Sequence, residues 1–449
     1  MTKTRIEEES QLGPTKELDA GALFVLKSRG SWVHCGYHLT TAIVGPPVLS
    51  LPFTFAMMGW VPGVFCLAIG TMVTFYSYNL LSLVLERHEK LGQRTLRFRD
   101  MGTTILGSRW ARYYVGPIQF SVCYAAVALC ILLGGQSLKA IYILSTTNEK
   151  MKLYEFIVIF GGLMLLLAQI PSFHSLRHIN LISLVLYLAY SICAVVGSIY
   201  IGKSKNATHK DYSLNSHGAD LMYGIFNAIA ITATTYGNGI LPEIQATIAP
   251  PVKGKMFKGL CLCYTVTTTT FFSVAISGYW AFGNQAQSTI ISNFIVDGKP
   301  LIPKWFILMT NVFTLLQVLA ITLVYLQPTN EIFEQKFANP KSHQFSTRNV
   351  IPRLFFRSLS VVVATIIAAM FPFFGDIMAV IGAFGIIPLD FVLPMVFYNV
   401  TFQPSKRNPI FWINISIAVI FSALGVLGAI SSVRQIILDS KTYHLFANV

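Results

Sequence analysis

Charged residues are scarce in this 449-residue chain: Asp, Glu, Lys and Arg make up 12% of it, whereas 54% is hydrophobic. A soluble globular domain carries about 25% charged residues, so the composition excludes an ordinary soluble fold. A bilayer is crossed by about 20 apolar residues. The sequence holds eleven such windows: 32–55, 60–85, 113–138, 153–170, 179–201, 221–248, 257–282, 303–328, 354–373, 377–400 and 410–433. We predict an all-α polytopic membrane protein with one transmembrane domain over residues 31–433.

Acidic residues are rarer than basic ones: 19 Asp and Glu stand against 33 Lys and Arg, which gives a net charge of +14. If the N-terminus is cytoplasmic, the cytoplasmic segments hold 23 of those 33 basic residues. This asymmetry follows the positive-inside rule and needs no nucleic-acid partner. We expect a largely disordered cytoplasmic tail at 1–30 and a short extracytoplasmic tail at 434–449.

Motifs for catalysis and metal binding are missing. The seven cysteines include no C-x-x-C pair, and no nucleotide-binding loop or Ser/His/Asp triad occurs. We therefore expect neither an enzyme nor a metal or cofactor. The first thirty residues lack the apolar core of a signal peptide, so the first span is expected to act as an uncleaved insertion signal. The sequon at Asn206 falls in a loop predicted to be extracytoplasmic, which makes it a glycosylation candidate.

Two of the eleven spans are interrupted at matching places in the two halves of the chain. The first is broken at Gly45, Pro46 and Pro47, and the sixth is broken at 237–239 (GNG). Non-helical backbone is tolerated at membrane depth only where it is buried in protein or lines a cavity. Paired interruptions of this kind point to the binding site of a secondary transporter built from inverted repeats. Two ordinary helix kinks are the alternative interpretation.

The first break offers groups of opposite polarity. A half-helix that starts at Pro46 or Pro47 presents free N–H groups and a positive dipole end to an anion such as a carboxylate. The carbonyls that the prolines release suit an ammonium group or a cation. The candidate substrate-binding residues of both breaks are Thr41, Ala42, Ile43, Gly45, Val48, Leu49, Ser50, Thr235, Tyr236, Gly237 and Asn238.

Ionisable side chains inside the spans are few, and each is a functional candidate. His38 precedes the first break, Glu243 follows the second, and Asp390 lies deep in the tenth span. An imidazole titrates over the physiological pH range, and a carboxyl group in a protein interior can also carry a proton. We predict proton coupling by these three residues, with structural hydrogen bonding as the alternative for each.

Several segments resemble a known family. Residues 38–45 (HLTTAIVG), 48–52 (VLSLP), 242–247 (PEIQAT) and 382–389 (GAFGIIPL) are similar to motifs of the amino acid/auxin permease family. Within it, 18–26 (LDAGALFVL), 97–100 (RFRD), 233–239 (ATTYGNG) and 278–283 (GYWAFG) resemble the plant GABA-transporter branch. The resemblance implies a leucine-transporter-like fold with 5+5 inverted repeats. It also implies plasma-membrane, proton-driven import of γ-aminobutyrate (GABA) and related ω-amino acids, with the proton gradient in place of a cofactor.

One departure and three alternatives stand beside that implication. Many family members have a segment that resembles Gly-Ser-Gly or Gly-Ala-Gly where this chain has Gly45, Pro46 and Pro47. The two prolines remove two backbone N–H donors from this segment. The substrate could instead be proline, a neutral α-amino acid or auxin. An amino acid sensor without net transport and a channel belong to other classes. The short C-terminus argues against the sensor, and the scarcity of intramembrane charge argues against the channel.

Overall fold

Helices cover the apolar windows that the sequence predicts to span the membrane. The computed structural model describes residues 31–92, 97–146, 150–169, 176–204, 210–214, 217–246, 248, 254–296, 298–337 and 346–442. Among these residues, eight helices are long and apolar enough to cross a membrane, and a bent pair at the first break makes a ninth. The remaining two spans are the 15-residue helix Leu153–Leu167 and the sixth span, which is interrupted. Asn206 and the tail at 1–30 lie outside the described residues.

The first half of the chain contains five spans. Their helices are α1a (Trp32–Ile43), α1b (Leu51–Met58), α2 (Trp60–Lys90), α3 (Ser108–Ser145), α4 (Leu153–Leu167) and α5 (Leu176–Lys203). A 3₁₀ segment at Pro46–Ser50 joins the halves of α1, and a short helix at Phe98–Leu106 lies between α2 and α3. Gly59 separates α1b from α2 at φ 83°, a left-handed conformation that glycine adopts without steric cost.

The second half repeats the broken first helix and adds a further span. Its helices are α6a (Gly218–Tyr236), α6b (Leu241–Ala246), α7 (Lys255–Phe282), α8 (Lys304–Phe337), α9 (Thr347–Met370), α10 (Phe374–Phe402) and α11 (Pro409–Thr442). A two-stranded hairpin, β1 (Ile295–Val296) and β2 (Lys299–Pro300), precedes α8 and pairs Ile295 with Pro300. The last helix thus continues to Thr442, past the span end expected at 433 and into the segment predicted to be the C-terminal tail.

Helix α10 is wound differently from the continuous α-helix expected over 377–400. Residues Ile381–Val392 form a π-helical segment that contains Pro388. Proline has no N–H to donate to the turn before it, and π-bulges often occur where this ladder is interrupted. Gly382 lets this segment approach α6a closely, because a Cβ at this position would lie 1.9 Å from the Ala230 carbonyl oxygen. The π segment is therefore held against the helix that leads into the second break.

The core lies where both broken helices are enclosed by the other spans. Helix α3 packs against α8, α7 packs against α1a, and α5 packs against both α7 and α8. The fully buried side chains include five tyrosines from α2, α5, α6a and α7: Tyr78, Tyr187, Tyr190, Tyr236 and Tyr279. Buried tyrosines usually find hydrogen-bond partners for their hydroxyl groups. One of them, Tyr78, bonds to the carbonyl at the end of α6a, beside the second break.

Candidate functional site

The first break unwinds where the prolines are. Helix α1a ends at Ile43, the Val44 N–H donates to the Thr40 carbonyl at 2.7 Å, and Gly45 is fully extended at φ −160°. The chain then turns through the 3₁₀ segment, and α1b starts at a bend of 49° to α1a. The prediction of a broken first helix is therefore confirmed, and its backbone is buried in the protein as the bilayer requires.

Several polar groups at the first break already have hydrogen-bond partners within the protein. The Tyr325 hydroxyl of α8 donates to the Ala42 carbonyl at 2.9 Å, and the Ser50 hydroxyl donates to the Ser288 carbonyl. The Val48 N–H, expected to face a carboxylate, donates to the Gly45 carbonyl at 3.2 Å. A carbonyl oxygen has two lone pairs, so Ala42 retains acceptor capacity beside Tyr325.

The second break is unwound over residues 237–240. Helix α6a ends at Tyr236, and the Gly237 N–H closes the last turn on the Thr234 carbonyl at 3.2 Å. The Asn238 side chain then accepts from the Ile240 N–H at 3.2 Å, and α6b begins at Leu241. Asn238 thus stabilises the irregular backbone locally, as short polar side chains do in turns. Its own N–H points to another helix.

Asp390 provides the partner for that N–H. The Asn238 N–H donates to the Asp390 Oδ2 at 2.8 Å, and both residues are fully buried. The π-helical winding of α10 presents Asp390 to the break, and the Ser77 hydroxyl of α2 donates to the Asp390 main-chain carbonyl. A carboxylate that accepts from backbone N–H groups is held by a charge-assisted hydrogen bond. Asp390 therefore couples α10 and α2 to the irregular segment of α6.

Gln119 of α3 engages the same break from its other side. Its Nε2 donates to the Gly239 carbonyl at 3.0 Å and to Glu243 Oε1 at 3.0 Å. Glu243, on α6b, is half-buried. Gln119 therefore bonds both to an unwound carbonyl of the second break and to a candidate proton-coupling carboxyl.

Two tyrosines attach the end of α6a to α2. The Tyr78 hydroxyl donates to the Tyr236 carbonyl at 2.8 Å, one of the carbonyls expected to receive an amine. The Tyr236 hydroxyl lies 2.9 Å from the Leu67 carbonyl and 2.7 Å from the Thr71 hydroxyl. The ring of Tyr236 lies directly over Gly70, where a Cβ would approach it to 2.7 Å.

The other predicted residues lie in ordinary helix. The Thr41 and Thr235 hydroxyls donate to carbonyls one turn back in their own helices, Tyr37 at 2.9 Å and Ile231 at 3.1 Å. His38 is half-buried in α1a, with its ring centroid 4.3 Å from that of Tyr37. Asp390 thus bonds directly to the second break, and Glu243 is linked to it through Gln119. His38 lies before the first break.

The sequence analysis assigned no role to three residues that contact the breaks, Tyr78, Ser288 and Tyr325. It also assigned none to Ser77, which contacts Asp390. For Ser77, Tyr78 and Tyr325 the available signal was a hydroxyl within an apolar window, since such groups seek partners across helices. Ser288 instead supplies a main-chain carbonyl. Which helix supplies the partner depends on tertiary packing.

Comparison with solved structures identifies the fold. The chain superposes on a Na⁺-coupled sialic acid symporter in its substrate-bound outward-open state with a TM-score of 0.53 at 11% identity, over 96% of this chain and 93% of that one. It matches MhsT in complex with L-phenylalanine with a TM-score of 0.52 at 12% identity, over 91% and 99%. The fold is the leucine-transporter fold, with inverted five-helix repeats and broken first and sixth helices.

Sequence comparison then gives the family. The profile of the transmembrane amino acid transporter protein family matches residues 28–438. GABA transporter 1 of Arabidopsis thaliana is 60% identical over 434 residues, which cover 96% of both chains. Lysine histidine transporter-like 1 of the same plant is 29% identical, over 99% of this chain and 96% of that one. The chain belongs to the transmembrane amino acid transporter family, and it is a multi-pass membrane transporter rather than an enzyme.

Proposed function

We propose that this protein is a proton-coupled symporter that imports GABA and related ω-amino acids across the plasma membrane. The observation that supports this most is the 60% identity to the Arabidopsis GABA transporter 1 over 96% of both chains. Identity to the lysine histidine transporter-like relative is 29%, half that level, over a similar length. The similarity is therefore spread along the whole chain and is much greater to the GABA transporter.

The substrate is held at the two breaks by main-chain groups. The Leu49 and Ser50 N–H groups take the carboxylate at the positive end of α1b. The Val48 N–H, also expected there, is bonded to the Gly45 carbonyl at 3.2 Å. The carbonyls of 41–43 and 236–238 take the ammonium group. Tyr325 and Tyr78 already donate to the Ala42 and Tyr236 carbonyls, at 2.9 and 2.8 Å. These hydroxyls fix the carbonyl directions before the substrate arrives, which limits the ordering cost of binding.

The prolines at the first break favour a substrate with separated charges. Pro46 and Pro47 have no N–H, so the first backbone donors of the outer half-helix come later in the chain than in a Gly-Ser-Gly segment. This moves the carboxylate subsite away from the carbonyls of α1a. An ω-amino acid, whose charged groups lie farther apart than those of an α-amino acid, fits that spacing.

Proton coupling acts mainly through Asp390, with Glu243 and His38 as further candidates. An ionised Asp390 accepts the Asn238 N–H that it contacts at 2.8 Å. A protonated Asp390 has lost its charge and gained a donor, so its hydrogen bonds to the unwound segment change. Protonation thereby acts directly on the backbone that holds the ammonium group. Glu243 shares Gln119 with that same segment.

Transport proceeds by alternating access. By analogy with the fold, helices α1, α2, α6 and α7 rock against a scaffold of α3, α4, α8 and α9. The N-terminus is cytoplasmic and the C-terminus extracellular, as the distribution of basic residues indicates. A GABA-like zwitterion, the proton and the bilayer are the partners that this mechanism requires.

Substrate identity is tested by a competition panel in cells that express the chain. Uptake of labelled GABA should be saturable and should be inhibited by unlabelled GABA and δ-aminovalerate. An equal excess of proline, alanine, lysine, histidine or auxin should inhibit it much less. Uptake of one of these competitors in place of GABA would contradict the proposed substrate, and saturable binding without accumulation would indicate a sensor.

A further inference from the structure

One face of α8 lies against the first break. The Tyr325 hydroxyl donates to the Ala42 carbonyl at 2.9 Å, and a Cβ at Gly45 would lie 3.3 Å from the Ile321 Cδ1. Tyr325 thus lies beside Ala42. Ile321, four residues earlier on α8, lies beside Gly45, three residues later on α1. The two helices are antiparallel at this point, and residues four apart on α8 share the facing side.

Gln317 lies one turn beyond Ile321 along α8, toward one side of that face. Extending the antiparallel register by this turn brings Gln317 to the level of the 3₁₀ segment Pro46–Ser50. This is the end of the break from which α1b starts, so the local helix dipole is positive there. The carbonyl-rich end, where Tyr325 contacts Ala42, lies two turns away along α8.

The Gln317 carboxamide is buried and unpaired. The residue is 0% exposed, and neither Nε2 nor Oε1 has a hydrogen-bond partner among the residues that the structure describes. The neighbouring polar residues of α8 differ, because Thr310, Asn311 and Thr314 each donate to a carbonyl one turn back, at 2.8 to 2.9 Å. Buried amide groups without a partner are rare in folded proteins and call for an explanation.

We propose that Gln317 binds the carboxylate of the transported amino acid, with its Nε2 as the donor. The side chain supplies the N–H groups that Pro46 and Pro47 cannot offer, from the helix that faces them. The amine subsite lies at the opposite, carbonyl-rich end, so the substrate lies along the α1–α8 interface. This assignment deepens the proposed function and rests on it, since it requires a substrate that carries a carboxylate.

The test compares Michaelis constants for GABA uptake in the full-length protein with Gln317→Leu, Gln317→Glu and the control Asn311→Leu. Gln317→Leu should raise KM about 10- to 100-fold, the size expected for a hydrogen bond to a charged group, with unchanged surface abundance. Gln317→Glu keeps the size but replaces the donor with an acceptor, and should raise KM at least as much. Asn311→Leu removes a buried amide from the same helix and should change KM less than twofold.

Three results would overturn the assignment. They are a KM within twofold of the unsubstituted protein for Gln317→Leu, wild-type affinity in Gln317→Glu, or a loss of uptake that lower surface abundance explains fully in both variants. If Gln317→Leu does not reach the membrane, the equally sized Gln317→Glu decides alone. If the unsubstituted chain carries another amino acid and not GABA, the proposed substrate is wrong; the same comparison is then made with that amino acid, whose carboxylate Gln317 should still bind.

Discussion

The Asp390 carboxylate and the Asn238 backbone N–H form a 2.8 Å hydrogen bond between residues 152 positions apart in the chain. It joins the π-helical segment of α10 to the unwound segment of α6, and both residues are fully buried. A change in the charge of this one side chain therefore acts directly on the main chain of the second break. Four predictions follow from this arrangement and from the first break.

Asp390→Asn should flatten the pH dependence of uptake. The carboxamide keeps the shape and can still accept the Asn238 N–H through its oxygen, but it cannot exchange a proton. Initial rates of GABA uptake between external pH 5 and 8 measure this. The control is Asp220→Asn, which removes an exposed carboxylate that pairs with Arg434 at 2.5 Å. If the Asp390→Asn variant keeps the wild-type pH profile, the role of Asp390 is purely structural.

His38→Ala should reduce proton-driven accumulation more than it reduces GABA counterflow, which requires no net proton movement. The histidine lies in α1a with its ring beside Tyr37. His34→Ala is a matched control one turn earlier, where the Nδ1 lies 2.8 Å from the Ser31 hydroxyl. Equal losses of accumulation and counterflow in His38→Ala would remove this residue from the coupling role.

Pro46→Gly should shift selectivity from ω-amino acids toward α-amino acids. The variant restores a backbone donor near the carbonyls of α1a, where the carboxylate of an α-amino acid would lie. One hydrogen bond to a carboxylate corresponds to about a 10- to 100-fold change in the ratio of inhibition constants for GABA and alanine. Pro46→Ala restores the same donor without the flexibility of glycine and should shift the ratio likewise. An unchanged ratio in both variants would refute the role of the missing donor.

Gln119→Leu should weaken GABA binding in addition to lowering stability. It removes the bonds to the Gly239 carbonyl and Glu243, both 3.0 Å long. The loss of stability should be about 1–3 kcal/mol in thermal unfolding of the purified protein. Gln169→Leu provides the comparison, because it removes bonds to the Leu165 carbonyl and Ser358 away from both breaks. A KM increase specific to Gln119→Leu is the expected result; matching KM values would make Gln119 purely structural.

The broken helices could be predicted from the sequence because their cause is local. Pro46 and Pro47 lack N–H groups wherever they are placed, and the glycines at 237 and 239 remove the side chains that favour regular helix. The structure confirms both interruptions at the predicted residues. The number and length of the apolar windows predict an all-α membrane protein, whereas the leucine-transporter-like fold is what the family resemblance implies.

The partners of the breaks could not be predicted, because they depend on how the helices pack. The sequence of α10 predicts a continuous span, whereas the π winding around Pro388 changes which side chains face α6 and presents Asp390 to Asn238. Tyr325 and Gln119 reach the breaks from helices distant in sequence. Apolar periodicity in a membrane span does not distinguish a face toward lipid from one toward another helix.

The central claim is that proton entry and GABA entry are one coupled event at the two breaks. Its most direct test is the GABA-evoked current in voltage-clamped cells that express the chain, with external pH and external sodium varied separately. The account predicts an inward current that grows as external pH falls and persists when sodium is replaced by choline. A current that requires sodium and is insensitive to pH would contradict it.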